Sequence, residues 1–292
     1  MSKVKNQAHG LEQLVGEKKD RKDGVRFICI TSGKGGVGKS TISSNLSYFL
    51  WKSGFKVGVL DADIGLANLD VMFGVKSKQN ILHLLKGSAT LEEILVKIED
   101  GLYLIPGESG EEILKYSSEF MFDKFTEETG FLDELDFVIV DTGAGIGEHV
   151  QAFLNASDDV IVVTATDPAA VTDAYATIKI ISKTKKNIYM IVNMARSDKE
   201  AESIFEKISK VAKSYIDYEF DLKLLGKIKN HEYVSRSVKQ RLLFSKEYQN
   251  SEPFFDLESI AKKLLNNMEH KVLEGSEEGK FSKFFKKILA QF

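Results

Sequence analysis

Residues 33–40 read Gly-Lys-Gly-Gly-Val-Gly-Lys-Ser, a glycine-rich run of the form G-x-x-x-x-G-K-[ST]. Such a run performs phosphate chemistry when it joins a strand to a helix. Residues 26–31 are apolar and β-prone, and residues 41–51 carry helical periodicity through Ile42, Leu46, Phe49 and Leu50. The backbone N–H groups of Gly33, Gly35, Gly36, Val37, Gly38 and Thr41 would then surround an anion at the positive end of a helix. Lys39 is placed to reach β- and γ-phosphates, and the Ser40 hydroxyl to ligate Mg²⁺. A second lysine, Lys34, does not fold readily onto phosphates that its own loop already encloses. It is better placed to reach a nucleotide held by a facing subunit.

Further chemistry-bearing residues end apolar runs. Asp61 and Asp63 follow residues 57–60, and Asp141 follows Phe137-Val-Ile-Val140. In open α/β sheets, a carboxylate at the C-terminal end of a strand faces the ligand crevice. Asp141 fits a carboxylate that holds Mg²⁺ through water. Thr142-Gly-Ala-Gly-Ile-Gly147 is flexible enough to sense a γ-phosphate. An acid after the second strand can instead bind a ribose in a dinucleotide fold. The loop argues against that, because it is a K-[ST] phosphate loop and not G-x-G-x-x-G.

The elements that must position these groups follow from periodicity. Short apolar runs at 56–60, 102–106, 137–140, 160–164, 188–192 and 222–225 alternate with helical segments such as 169–182 and 199–214. The pattern predicts an α/β fold, a parallel sheet with helices on both faces. The expected organisation is an extension at 1–24, one domain at 25–273, an acidic glycine-containing tether at 274–279 and a terminal helix at 280–292.

Composition narrows the class. The chain has 292 residues, is 43% hydrophobic and carries a net charge of −3, which gives no global electrostatic case for nucleic acid. The single cysteine, Cys29, rules out a disulfide framework and, within this chain, a set of thiolates for an iron–sulfur cluster. The N-terminus carries no signal-peptide pattern, so a cytoplasmic location is expected.

Lys34-Gly-Gly-Val-Gly-Lys-Ser40 resembles the signature of the deviant Walker A, or MinD/ParA, family of P-loop ATPases. The resemblance implies a P-loop NTPase fold and Mg-dependent ATP hydrolysis in a homodimer formed around ATP. By that resemblance Lys34 contacts the nucleotide across the dimer. Asp63 orients the attacking water, Asp61 lies near Mg²⁺, and Asn193 recognises the adenine edge. For Asn193, an ordinary strand-ending asparagine is the alternative reading. The form Asp141-Thr-Gly-Ala-Gly-Ile146 is most similar to the FlhG branch of flagellar-number regulators.

The two ends read as separate devices. As a helix, residues 280–292 align Phe281, Phe284, Phe285, Ile288, Leu289 and Phe292 in one stripe, with Lys280, Lys283, Lys286 and Lys287 opposite. This face fits an anionic membrane surface, on the inner face of the cell membrane in the ATP state. Packing on the domain is the alternative, and the two can alternate. At the other end, Gln7, Ala8 and Leu11 match part of the element by which FlhG engages FlhF, a flagellar signal-recognition-type GTPase. Asn6 and Glu12 depart from that element. The implied output is flagellar number or placement. Division-site placement of the MinD kind, DNA segregation of the ParA kind and a scaffold with negligible turnover are the alternatives.

Overall fold

A computed structural model of the protein describes residues 24–63, 68–107, 129–269 and 280–289. The phosphate loop lies between β1 (Arg26–Ser32) and α1 (Lys39–Lys52). The chain continues through β2 (Val57–Ala62), α2 (Leu69–Phe73), α3 (Ile81–Leu85), α4 (Leu91–Ile94), β3 (Val96–Glu99) and β4 (Leu102–Ile105). After a 3-10 turn at Thr129–Glu134 come β5 (Phe137–Ala144), α5 (Glu148–Ala156), β6 (Asp159–Thr164) and α6 (Pro168–Ile181). Then follow β7 (Asn187–Ala195), α7 (Asp198–Tyr215), β8 (Asp221–Lys229), α8 (Glu232–Gln240), α9 (Phe244–Glu247), α10 (Glu252–Glu269) and α11 (Lys280–Leu289).

One eight-stranded sheet runs in the order β3-β4-β2-β5-β1-β6-β7-β8. Every pairing is parallel except β3 with β4, so the expected parallel sheet carries one antiparallel edge. Alternate residues of each strand feed opposite layers, because side chains in a strand point to opposite faces. Phe27 and Cys29 of β1 join a core with α5, α6, α7 and α11. Ile28 and Ile30 join a second core with α1, α9 and α10. Burial on both faces is why these strands read as unbroken apolar runs.

Local chemistry sets the helix starts near the site. Asp167 caps α6, its carboxylate accepting from the Ala170 N–H at 3.0 Å, and Pro168 occupies the first helical position. Lys185 closes the C-terminal end of α5, donating from Nζ to the Asn155 carbonyl at 3.0 Å and to the Ser157 carbonyl.

The terminal helix is docked. Phe284, Phe285 and Ile288 are buried in the same core as Phe27 and Phe153. The Phe284 ring stacks on Phe27 with centroids 4.0 Å apart and planes 6° from parallel. Lys283, Lys286 and Lys287 stay exposed. Of the two readings of this helix, packing on the domain is the state seen. Full burial is worth roughly 1.5–3 kcal/mol per large apolar side chain, so three such anchors hold the helix firmly. Phe281 and Leu289 lie on α11, but their side chains are outside the described set. Phe292, Gln7, Ala8 and Leu11 lie outside the described residues. Among the described residues no helix is long and apolar enough to cross a membrane.

Candidate functional site

The sheet brings the phosphate loop and both strand-ending carboxylates to one edge. β1 pairs with β5 on one side and β6 on the other, so the loop after β1 opens at the centre of the sheet. In the ladder Asp61 of β2 lies beside Asp141 of β5, and Ile30 beside Asp141. This is the crevice at the carboxyl ends of the strands where open α/β sheets bind ligands.

Gly38 opens α1 in the left-handed region at φ 91°. A Cβ there would fall 2.3 Å from Asn193 Nδ2, so both backbone conformation and space require glycine. Lys39 is buried, and Ser40 and Thr41 are partly buried at the helix start. Asp141 is buried and accepts from Ser43 Oγ at 2.8 Å. Burial pushes its carboxyl up to about 7; hydrogen bonds from Ser40 and Ser43 and the charge of Lys39 act against that rise, and Asp61 adds to it. A buried carboxylate held near neutrality beside the Ser40 hydroxyl is a natural seat for a divalent cation, which would return it to the charged form.

Asp61 is also buried, and its carboxyl rises to about 6 through burial. Its oxygens accept backbone N–H bonds from Asp63, Asn68 and Leu69 at 3.3, 3.1 and 3.2 Å. Asp61 therefore ties the end of β2 to the start of α2 and holds the backbone at Asp63. Asp63 stands at the mouth, where a Cβ built on Gly143 would lie 3.0 Å from its Oδ1. Burial raises the Asp63 carboxyl, with Lys39 opposing. The segment after β5 is tied at both ends. Gly145 N–H donates to the Ser32 carbonyl at 2.8 Å, and Gln151 Nε2 donates to the Ile146 carbonyl at 2.8 Å.

Asn193 is buried and engaged within the chain. Its Nδ2 donates to the Val37 carbonyl at 2.8 Å, and its Oδ1 accepts from the Met194 N–H at 2.9 Å. It thus clamps the phosphate loop to β7. β7 itself runs on to Ala195, past the expected end, with Met194 at φ 57°. An open cavity of about 760 Å³ connects the loop with Asp63, Asn193, Met194, Lys229, Asn230, His231, Val234 and Val238. Its lining combines the polar phosphate loop with the apolar side chains of Met194, Val234 and Val238. These residues fit a nucleotide with Mg²⁺.

Lys34 points away from its own loop. Its carbonyl accepts from Ser32 Oγ at 2.8 Å, and its Nζ pairs with Asp167 Oδ1 at 2.8 Å. Asp167 and Ser43 had no place in the sequence reading. Ser43 left a trace: α1 buries Ser43, Ser44, Asn45 and Ser47, a polar run that an ordinary buried helix does not carry. Ser43→Ala is expected to weaken Mg-dependent nucleotide binding several-fold and to cost about 1–3 kcal/mol of stability, the range for removing a hydrogen-bond partner from a buried polar group. Mg²⁺ titration of nucleotide binding together with thermal melting checks this. An unchanged Mg²⁺ dependence would remove Ser43 from the site.

The model of the ParA family, described as "NUBPL iron-transfer P-loop NTPase", matches residues 25–265. The chain belongs to the ParA/MinD family of P-loop ATPases. It is 51% identical to the flagellum site-determining protein YlxH of Helicobacter pylori, over 98% of this chain and 99% of that one. It is 32% identical to the antiactivator FleN of Pseudomonas aeruginosa, over 82% of this chain and 86% of that one. A chain of the MinC:MinD cell division protein complex of Aquifex aeolicus superposes with a TM-score of 0.65 at 26% identity, covering 87% of this chain and 99% of that one. The one cysteine of this ATPase, Cys29, is buried in β1, so the chain supplies no set of thiolates for an iron–sulfur cluster.

Proposed function

We propose that this chain is an ATP-dependent, dimerising ATPase that cycles on and off the membrane and controls flagellar number or placement. The identity to the flagellum site-determining protein over nearly the whole chain carries this reading. Lys39, Ser40 and Asp141 hold the nucleotide and its Mg²⁺, with Ser43 and Asn193 bracing them. Mg²⁺ supplies charge neutralisation at the phosphates when bound. Asp63 orients water, and Lys34 completes the site of the facing subunit.

The apolar face of α11 links this site to the membrane. Phe284, Phe285 and Ile288 cannot lie in the domain core and in a bilayer at once. The docked helix is therefore the resting form, and the released helix the membrane-binding form. A route between them exists in the fold, because the loop after β5 leads directly into α5, on which α11 packs. Two released helices in one dimer bind an anionic surface with avidity that one lacks. The protein is then cytoplasmic at rest and peripheral on the inner face of the membrane with ATP. The segment bearing Gln7, Ala8 and Leu11 engages the GTPase FlhF.

A count of flagella per pole and of minicells after deletion of the gene tests the output. Too many or misplaced flagella with few minicells is the expected result. Abundant minicells with normal flagella would move the assignment to division-site placement, the reading favoured by the structural likeness to the MinC:MinD complex.

A further inference from the structure

We propose that Asp167 is a positioning residue that parks Lys34 within its own subunit and so sets the nucleotide level at which two subunits join. The inference rests on the reading that Lys34 acts across a dimer. The contact is specific. The backbone at Lys34 is pinned by Ser32, which fixes where the side chain starts, and Nζ then meets Asp167 Oδ1 at 2.8 Å. Asp167 is held in turn by its cap on Ala170 N at the start of α6. The Lys34 amine and the Ala170 N–H together keep the Asp167 carboxyl below the usual carboxylate range. The partner group is thus a charged, oriented carboxylate anchored to a helix end, not a mobile surface acid.

One ammonium cannot serve this carboxylate and a facing nucleotide at once. The pair must open before Lys34 can cross. Both side chains are close to half exposed, at 40% and 47%, so the pair is weak enough to open readily. An exposed pair shifts an equilibrium by roughly two- to fivefold, and one dimer opens two of them, which compounds to about four- to twenty-fivefold in the dimerisation constant. Polyphosphate, with several negative charges, outcompetes a single carboxylate for the same lysine. The parked state therefore holds the empty or singly bound subunit apart without blocking the fully loaded pair.

The test uses the full-length chain and Asp167→Asn. Asparagine caps a helix as well as aspartate does, so α6 is preserved while the charge is lost. Two readouts are needed. In the nucleotide-free monomer, amine acylation of Lys34, followed by mass spectrometry, should be severalfold faster in D167N than in wild type. With a non-hydrolysable ATP analogue, the concentration giving half-maximal dimer should fall severalfold, and the gap to wild type should narrow at high salt. Asp167→Ser, which also keeps a cap and removes the charge, should match D167N in both. Equal acylation rates would overturn the contact itself. Faster acylation with an unchanged or higher midpoint would overturn its gating role and make Asp167 a simple helix cap. If wild type forms no dimer at all with the analogue, the underlying dimer reading fails, and the gating role fails with it.

Discussion

Replacing Asp63 by alanine is expected to lower ATP hydrolysis by about 10²- to 10³-fold, because orientation of the attacking group carries much of the barrier in phosphoryl transfer. Nucleotide binding should stay near wild type, since the proposed phosphate contacts come from Lys39 and the loop backbone and not from Asp63. The geometry supports this separation. Asp63 sits at the cavity mouth beside Gly143, whereas Asp141 and Ser43 lie buried behind the loop. The backbone N–H of Asp63 donates to Asp61, a bond that alanine at 63 keeps. Single-turnover hydrolysis and nucleotide affinity should therefore part company in this variant, and the dimer should persist in ATP. Turnover at the wild-type rate would remove Asp63 from its role.

Deletion of residues 280–292 is expected to lower the melting temperature by about 10 °C and to abolish vesicle binding. The first effect comes from burial. Phe284, Phe285 and Ile288 leave the core, and Phe27 and Phe153 lose their cover. Discounting the area bookkeeping for a compact unfolded state leaves about 3–5 kcal/mol. At roughly 2–4 °C per kcal/mol for a domain of this size, that is on the order of 10 °C. A tail that hung free in solution would leave the melting temperature unchanged. The second effect comes from losing the amphipathic, lysine-faced terminal helix. Loss of vesicle binding without loss of stability would mean that the docked state is not the resting state.

Much of the fold was written in local pattern. The strands buried on both faces gave apolar runs, and Pro168 and the glycines marked element ends. The edge strand β3 was not legible, because Val96-Lys-Ile-Glu99 is short, partly exposed and indistinguishable from an apolar turn. Strand ends were read short at β5 and β7. The chain stays extended through Asp141–Ala144 and Asn193–Ala195 by pairing with neighbours, which composition does not encode.

The site divides the same way. The loop, Asp61, Asp63 and Asp141 follow from spacing along one segment or from their place at a strand end. The contacts that tune them do not. Ser43 meets Asp141 across 98 residues, and Lys34 meets Asp167 across 133. Asn193 was read as a base contact from its place at a strand end. In the structure its amide group bridges Val37 and Met194 inside the chain, as the alternative reading of a structural asparagine expects. The terminal stripe of Phe284, Phe285 and Ile288 was legible as an apolar face, but not what covers it. A helix face that suits a bilayer equally suits a groove of Phe27 and Phe153.

The proposed cycle requires that nucleotide-driven pairing release α11 onto the membrane. Co-sedimentation of the full-length protein with anionic vesicles, compared between ADP and a non-hydrolysable ATP analogue, tests it most directly. Pelleting is expected with the analogue, little with ADP, and none in Lys34→Ala with either. Equal pelleting in both nucleotides, or a dimer that forms with the analogue and stays in the supernatant, would contradict it.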